Sequence, residues 1–285
     1  MQRVAVITGA SSGIGKEAAK ALAAQGWRVI AIGRDPGRSA AAEAEIRAAS
    51  SGAAVDMIRA DLALMAEAAR AAGEIEGLVD RIDVLINNAG GMAKQKVVTA
   101  EGFEANFAGN HLGPFLLTNR LLPLLRRAAA EAPKGTVRII NTSSDASEMI
   151  PGLDFDDLQA FDNARPGLSY CRGKLANVLH ARGLARRLAA DGVVVHSVHP
   201  GTIASNFASH ADAQAQAHMA TLDAMSPEQG AVALVWLATS DEAGQTSGGY
   251  FHQRKAHDPN PVTLDDAYVD RLWAESEKLV ATAGV

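Results

Sequence analysis

The chain has 285 residues, 48% of them hydrophobic and 21% charged, which is enough to bury a large α/β core. A formal net charge of −5 gives no electrostatic footprint for DNA, RNA or anionic lipid, so nucleic acid is not an expected partner. The lone Cys171 has no internal disulfide partner, glycine breaks the first apolar stretch at once, and no apolar run nears the ~20 residues of a bilayer span; a cytoplasmic chain without a membrane span is expected.

Short β-branched runs at 4–8, 28–32, 54–59, 84–87, 137–142 and 193–199, with a weaker one at 248–251, alternate with Ala/Leu-rich stretches of helical period. The helical stretches are 15–25, 39–49, 65–79, 104–130, 170–190 and 227–238. This order predicts an α/β fold in one domain spanning 1–285, a doubly wound parallel seven-stranded sheet of Rossmann type with helices on both faces. Segments 205–225 and 252–263 are less regular. The first follows a strand's carboxyl end, where open α/β sheets bind ligands, and is expected to form a substrate lid at 204–226.

The first strand runs straight into Thr8-Gly9-Ala10-Ser11-Ser12-Gly13-Ile14-Gly15 and the first helix, the context of a phosphate-binding glycine loop. Gly9 permits the turn, Gly13 lets backbone approach a pyrophosphate, Gly15 lets helix and strand pack, and the helix N-terminus favours the anion; Ser11, Ser12 and Ile14 complete the loop. At the end of the second strand, Ile32-Gly33-Arg34-Asp35 has glycine where an NAD-binding carboxylate is usual. Arg34, assisted by Arg38, would then pair with a 2′-phosphate, so NADP(H) is expected over NAD(H). The alternative has both arginines solvated and Asp35 turned back to the ribose. Asp61 and Leu62 would sit beside the adenine, unless Asp61 is a helix N-cap. Asn88, Ala89 and Gly90, in the small-residue run after the fourth strand, would floor the cofactor cleft.

Tyr170 and Lys174 lie one helical turn apart on one face. An ammonium beside a phenol favours the phenolate, which suits Tyr170 to proton exchange. Asn110 stands four residues before Pro114, and proline has no N–H for the carbonyl of residue 110. That freed oxygen could hold a proton-relaying water; a packing kink between Gly109 and Gly113 is the other reading.

Through TGASSGIG at 8–15, NNAG at 87–90, the serines 143–144, YCRGK at 170–174 and HPG at 199–201, the chain resembles the short-chain dehydrogenase/reductase family from about residue 3 to 279. Stretches 102–107, 110–113, 155–158 and 247–251 are most similar to its retinol dehydrogenase-like branch. The resemblance implies a catalytic tetrad of Asn110, Ser144, Tyr170 and Lys174, with Ser144 preferred to Ser143. It also implies that Lys174 and Tyr170 contact the cofactor, that Pro200, Gly201, Ile203 and Ser205 clasp the nicotinamide carboxamide, and that helices 104–130 and 170–190 pair subunits in a homodimer or homotetramer.

The expected activity is NADP(H)-dependent interconversion of an alcohol with a ketone or aldehyde, Tyr170 serving as general acid or base. Met92, Asp145, Met149, Leu168, Phe207 and Met225 are the expected pocket walls, suited to a lipophilic or bulky small-molecule substrate. Alternatives are an epimerase or lyase with held nucleotide and a non-catalytic nucleotide sensor. His196, His199, His210 and His218 have no metal-like spacing, and no metal is expected.

Overall fold

The computed structural model describes residues 2–93, 95–162, 166–204 and 224–285. Strands β1 (Val4–Thr8), β2 (Arg28–Gly33), β3 (Val55–Arg59), β4 (Val84–Asn87), β5 (Arg138–Thr142), β6 (Val194–His199) and β7 (Gly249–His252) pair in parallel, and β8 (Lys255–Ala256) adds to β7 antiparallel. The sheet has the order β3-β2-β1-β4-β5-β6-β7-β8. The eighth strand is an addition to the seven expected, too short to carry a hydrophobic pattern. The order reverses between β1 and β4, which opens a crevice at their carboxyl ends.

Alternating strand residues feed two cores, one on each face. Val4, Val6, Ile30, Ile32, Leu85 and Ile139 face one, while Ala5, Ile7, Val29, Ala31, Ile86 and Ile140 face the other. This two-sided burial is why the strands read as continuous apolar runs. Helices α1 (Gly13–Ala24) and α2 (Pro36–Ala49) cover one face, and α3 (Met65–Leu78) the other.

Residues 105–131 do not form one regular helix. Helix α4 (Ala105–Phe107) passes through a π-turn, Ala108–Leu112, into α5 (Gly113–Glu131). The Gly113 N–H bonds back to Ala108 O, and Pro114 has no N–H with which to restore the ladder. Helix α6 (Pro166–Arg187) begins four residues before Tyr170. Helix α7 (Pro227–Thr239) opens with a capping box between Ser226 and Gln229.

The periodic pattern gave no expectation for α8 (Asp266–Thr282), which Asp265 caps through the amides of Ala267 and Tyr268. It packs on α5 and α6. Phe115 meets Trp273 at 5.0 Å, and His111 Nε2 lies 2.7 Å from Ser276 Oγ. Gly183 lets α8 come close, since a Cβ there would stand 3.2 Å from the Trp273 ring. On the two helices expected to pair between subunits, α8 covers Phe115 and His180 from within the chain. Among the described residues no helix is long and apolar enough to cross a membrane.

Candidate active site

At the nucleotide end, β1 delivers Gly9 with φ +68°, the left-handed region that glycine favours. A Cβ on Gly9 would lie 2.8 Å from Ala89 Cα, and one on Gly15 2.3 Å from Asn88 Nδ2. The glycine loop and the turn after β4 are thus packed into each other. Thr8 Oγ1 fixes that contact by accepting from the amides of Asn88 (2.9 Å) and Ala89 (2.8 Å). Gly13, with φ +57°, has open space where its side chain would be. The Ser12 side chain does not cap α1, so the first-turn amides near Gly13 and Ile14 keep their donors for an anion.

At Gly33 a Cβ would meet Ser39 Oγ at 2.5 Å and Ser11 Cβ at 2.7 Å, so no carboxylate fits there. The Ser39 hydroxyl is buried without a partner. Arg34 is 66% exposed and reaches Asp61 at 3.4 Å, leaving most of its guanidinium available. Asp35 Oδ1 accepts from the Arg38 amide at 2.8 Å as the N-cap of α2, and the Arg38 guanidinium lies 3.7 Å from the same oxygen. Asp61 does not cap α3; it accepts from Ala63 N at 3.1 Å, and Glu101 takes the amides of Met65 and Ala66 instead. Leu62 sends its side chain into the core, with its carbonyl against Gly113.

At the other end, α6 brings Tyr170 and Lys174 against the end of β5. Lys174 is 5% exposed; its Nζ donates to Thr142 O at 3.2 Å and stands 5.6 Å from the Tyr170 ring centroid. Burial lowers this ammonium to about 8, well below the usual lysine value. The two serines separate cleanly. Ser143 is buried and donates to Lys174 O at 2.7 Å, whereas Ser144 donates to Asp145 Oδ1 at 2.7 Å and hydrogen-bonds Tyr170. Burial pushes the Tyr170 phenol up, and the Ser144 hydrogen bond opposes that rise. Ser144 thus acts on the phenol directly, and the Lys174 ammonium stands beside the same ring.

Asn110 lies in the π-turn, 1% exposed. Its Nδ2 donates to Gly91 O (2.8 Å) and Asn106 O (2.7 Å), and its Oδ1 accepts from Gly91 N (3.2 Å). Gly90 sits between Asn110 and Lys174, and Gly173 lets α6 pass close to Asn110. Beyond β6, Pro200 leads to Gly201 at φ +98°, and Ile203 bridges to Met225. Gly230 on α7 leaves room for Ile203 and Ile14 together, so the glycine loop and the 200–204 segment are neighbours.

The expected pocket residues are dispersed around this cleft. Met92, Leu168 and Met225 are half-buried, Asp145 is exposed beside Ser144, and Met149 is 76% exposed on the turn after it. Ser205, Phe207, His210, His218 and nearly all of the lid at 204–226 lie outside the described residues. His196 and His199 are buried on β6, His199 at its carboxyl end. Sequence reasoning missed Asn106, whose Oδ1 holds Ala93 N at 2.8 Å and whose Nδ2 reaches Ser169 Oγ at 3.1 Å, next to Tyr170. It also missed the Thr142 carbonyl, shared by Lys174 and Asn177. The run 102–107 held a signal for Asn106; a main-chain acceptor leaves none.

A family model described as short chain dehydrogenase matches residues 3–155. The chain is similar to retinol dehydrogenase 13 of Homo sapiens, 38% identical over 98% of this chain and 84% of that protein. It is also similar to retinol dehydrogenase 12 of Homo sapiens, at 35% over 98% and 86%. Among solved structures, one from Mycobacterium Paratuberculosis gives a TM-score of 0.76 at 32% identity, covering 98% of this chain and 94% of that one. The Pseudomonas aeruginosa RhlG/NADP active-site complex gives 0.70 at 30%, covering 88% and 94%.

Proposed function

Because the chain belongs to the short-chain dehydrogenase/reductase family, in its retinol dehydrogenase-like branch, and is an oxidoreductase of alcohol and carbonyl groups, we propose that it works with NADP(H) on a lipophilic or bulky substrate through Tyr170. The observation that carries this reading is the convergence of Ser144 and Lys174 on one phenol.

A nicotinamide dinucleotide fits the residues at the carboxyl edge of the sheet: Gly13 leaves open space at the start of α1, where a side chain would intrude, and Ser39 Oγ is an orphaned hydroxyl beside Gly33. Gly9 and the loop 11–15 would surround the pyrophosphate. Arg34 and Arg38 would pair with a 2′-phosphate, Asp61 and the Leu62 backbone would border the adenine, Asn88, Ala89 and Gly90 would line the floor, and Pro200, Gly201, Ile203 and Ser205 would hold the carboxamide. Bound there, the cofactor supplies or accepts the hydride.

The protein's own groups manage the proton. With its phenol pushed up by burial, Tyr170 stays protonated near neutral pH and can donate to a carbonyl oxygen as that oxygen gains charge. Ser144 stabilises the same oxygen by hydrogen bonding. Lys174, lowered to about 8 by burial, would hold the ribose hydroxyls and can return a proton to Tyr170, and Asn110 would order the relay water. Oxidation runs the same steps in reverse. The names of the relatives support a lipophilic substrate, and the partly apolar rim of Met92, Leu168 and Met225 accords with it. A homodimer or homotetramer belongs to the same proposal, but its contact would lie away from the Phe115 and His180 faces that α8 covers.

Absorbance assays of lipophilic aldehydes and ketones with NADPH and NADH in parallel test this. The expected result is faster turnover with NADPH and a loss of about 10²–10⁴-fold in Tyr170→Phe, with cofactor binding retained by fluorescence. Turnover equal in wild type and Tyr170→Phe would overturn it.

A further inference from the structure

We propose that Tyr250 and Asn260, on the C-terminal side of the sheet, are positioning residues that hold the Ser144 turn where its hydroxyl meets Tyr170. The proposal deepens the function given above and rests on its pairing of Ser144 with Tyr170. Ser144 opens a short 3₁₀ turn, Asp145–Glu148, and its Oγ accepts from Ala146 N at 3.2 Å, so the hydroxyl moves with the turn. Within the turn the main-chain bonds are local, Ser147 N to Ser144 O (3.0 Å) and Met149 N to Ala146 O (3.3 Å). Such a turn has no ladder of its own to fix it against the sheet.

Distant side chains supply that anchorage. Tyr250, 3% exposed on β7, has its hydroxyl 3.0 Å from Glu148 Oε1 and 3.3 Å from Ser144 O. One phenolic proton serves both acceptors, so Tyr250 ties the two ends of the turn to the sheet. Burial pushes this phenol up, which keeps it a donor. Asn260, 5% exposed, gives its amide protons to Ser147 O (3.0 Å) and Ile150 O (2.7 Å), and its Oδ1 accepts from Val262 N at 3.2 Å. Farther along, the Tyr268 hydroxyl donates to Leu153 O at 3.1 Å. The titratable groups facing the Tyr250 hydroxyl are Glu148 and Asp145 on the turn and His257 beyond β8, with His199 of β6 near both carboxylates. Residues 250–268 lie beyond the segment matched by the family model, which ends at 155. The position of the reacting serine is thus set by a part of the chain outside that match, and so is the stance of the exposed Met149 at the cleft rim.

Tyr250→Phe removes one hydroxyl and leaves the ring's packing intact. Its kcat is expected to fall roughly tenfold to a hundredfold, as displacement of a reacting group does, while KM for the nicotinamide cofactor and the melting temperature stay close to wild type. In the oxidation direction the rising arm of the kcat–pH profile should move upward, because Ser144 no longer lowers the Tyr170 phenol. Asn260→Asp, which withdraws both donors, should act in the same direction. A second readout is independent of turnover: amide hydrogen exchange across 145–153 should quicken in Tyr250→Phe without cofactor. If exchange and kcat both match wild type, or if kcat and melting temperature fall while cofactor KM rises with the pH profile unmoved, the positioning role is wrong. A wild-type protein inert to every carbonyl would overturn the proposed function instead, and the exchange result would still decide the anchorage.

Discussion

A methyl group on Gly90 would stand 2.4 Å from Asn110 Oδ1 and 3.1 Å from Lys174 Nζ. Gly90→Ala is therefore expected to displace Asn110 from Gly91, destabilise the fold by about 1–3 kcal/mol as overpacking does, and reduce kcat; urea titration and steady-state kinetics measure both, and an unchanged midpoint and kcat would show that the gap yields. Arg34 acts through charge. Arg34→Ala should weaken NADPH binding roughly tenfold to a hundredfold, the worth of one charge-assisted hydrogen bond, and leave NADH nearly unaffected. Equal losses for both nucleotides would remove Arg34 from the 2′-phosphate. Much at this scale was legible: glycines at a strand–helix junction, a phenol and an amine one turn apart, and a glycine followed by arginine where a carboxylate is usual all announce themselves by type and spacing. What could not be read depends on main-chain atoms or on neighbours far along the chain. The Thr142 carbonyl has no side-chain identity, and the reason Gly33 must be bare is Ser39, packed across from it.

Among the elements, the π-turn and α8 share one buried contact. His111 and His180 lie between α5, α6 and α8, and burial draws His111 down to about 3 and His180 well below its ordinary value. Both are neutral in the fold, while the unfolded chain protonates them near 6.5. Below that value the unfolded state binds more protons, so stability present above about pH 6.5 is lost as pH falls toward 3. His111→Gln should flatten the fall in unfolding free energy between pH 6 and 4 by about 1.4 kcal/mol per pH unit, read from urea titrations. A slope identical to wild type would mean that His111 titrates normally in the fold. The strands and central helices were legible because each carries an uninterrupted apolar pattern. Helix α8 was not, although Asp265 caps it and Val269 and Leu272 sit on one face, because Ser276 interrupts the stripe at a position buried for its bond with His111. The π-turn was half visible: Pro114 announces a freed carbonyl, but not that the ladder widens from Ala108 onward.

At the scale of the molecule, α8 packs against α5 and α6, the two helices expected to pair between subunits, and covers one side of them. Arg187 stacks on Trp273 at 4.0 Å and pairs with Asp270 at 3.0 Å, fastening the cover at its edge. Ending the chain at residue 265 is expected to lower the melting temperature and to cause self-association, because Phe115, Leu179 and His180 then lose their apolar cover. Sedimentation velocity and thermal melts compare the two lengths, and an unaltered mass and melting temperature would show the cover to be dispensable. The far margin of the sheet carries its own consequence. Since β8 is only the pair Lys255–Ala256, both exposed and running against β7, an incoming polypeptide finds little free amide and carbonyl to dock on, and an ammonium in the way. That boundary resists fibrous growth by strand addition, leaving concentrated protein better protected on this flank than a bare, longer β7 would be.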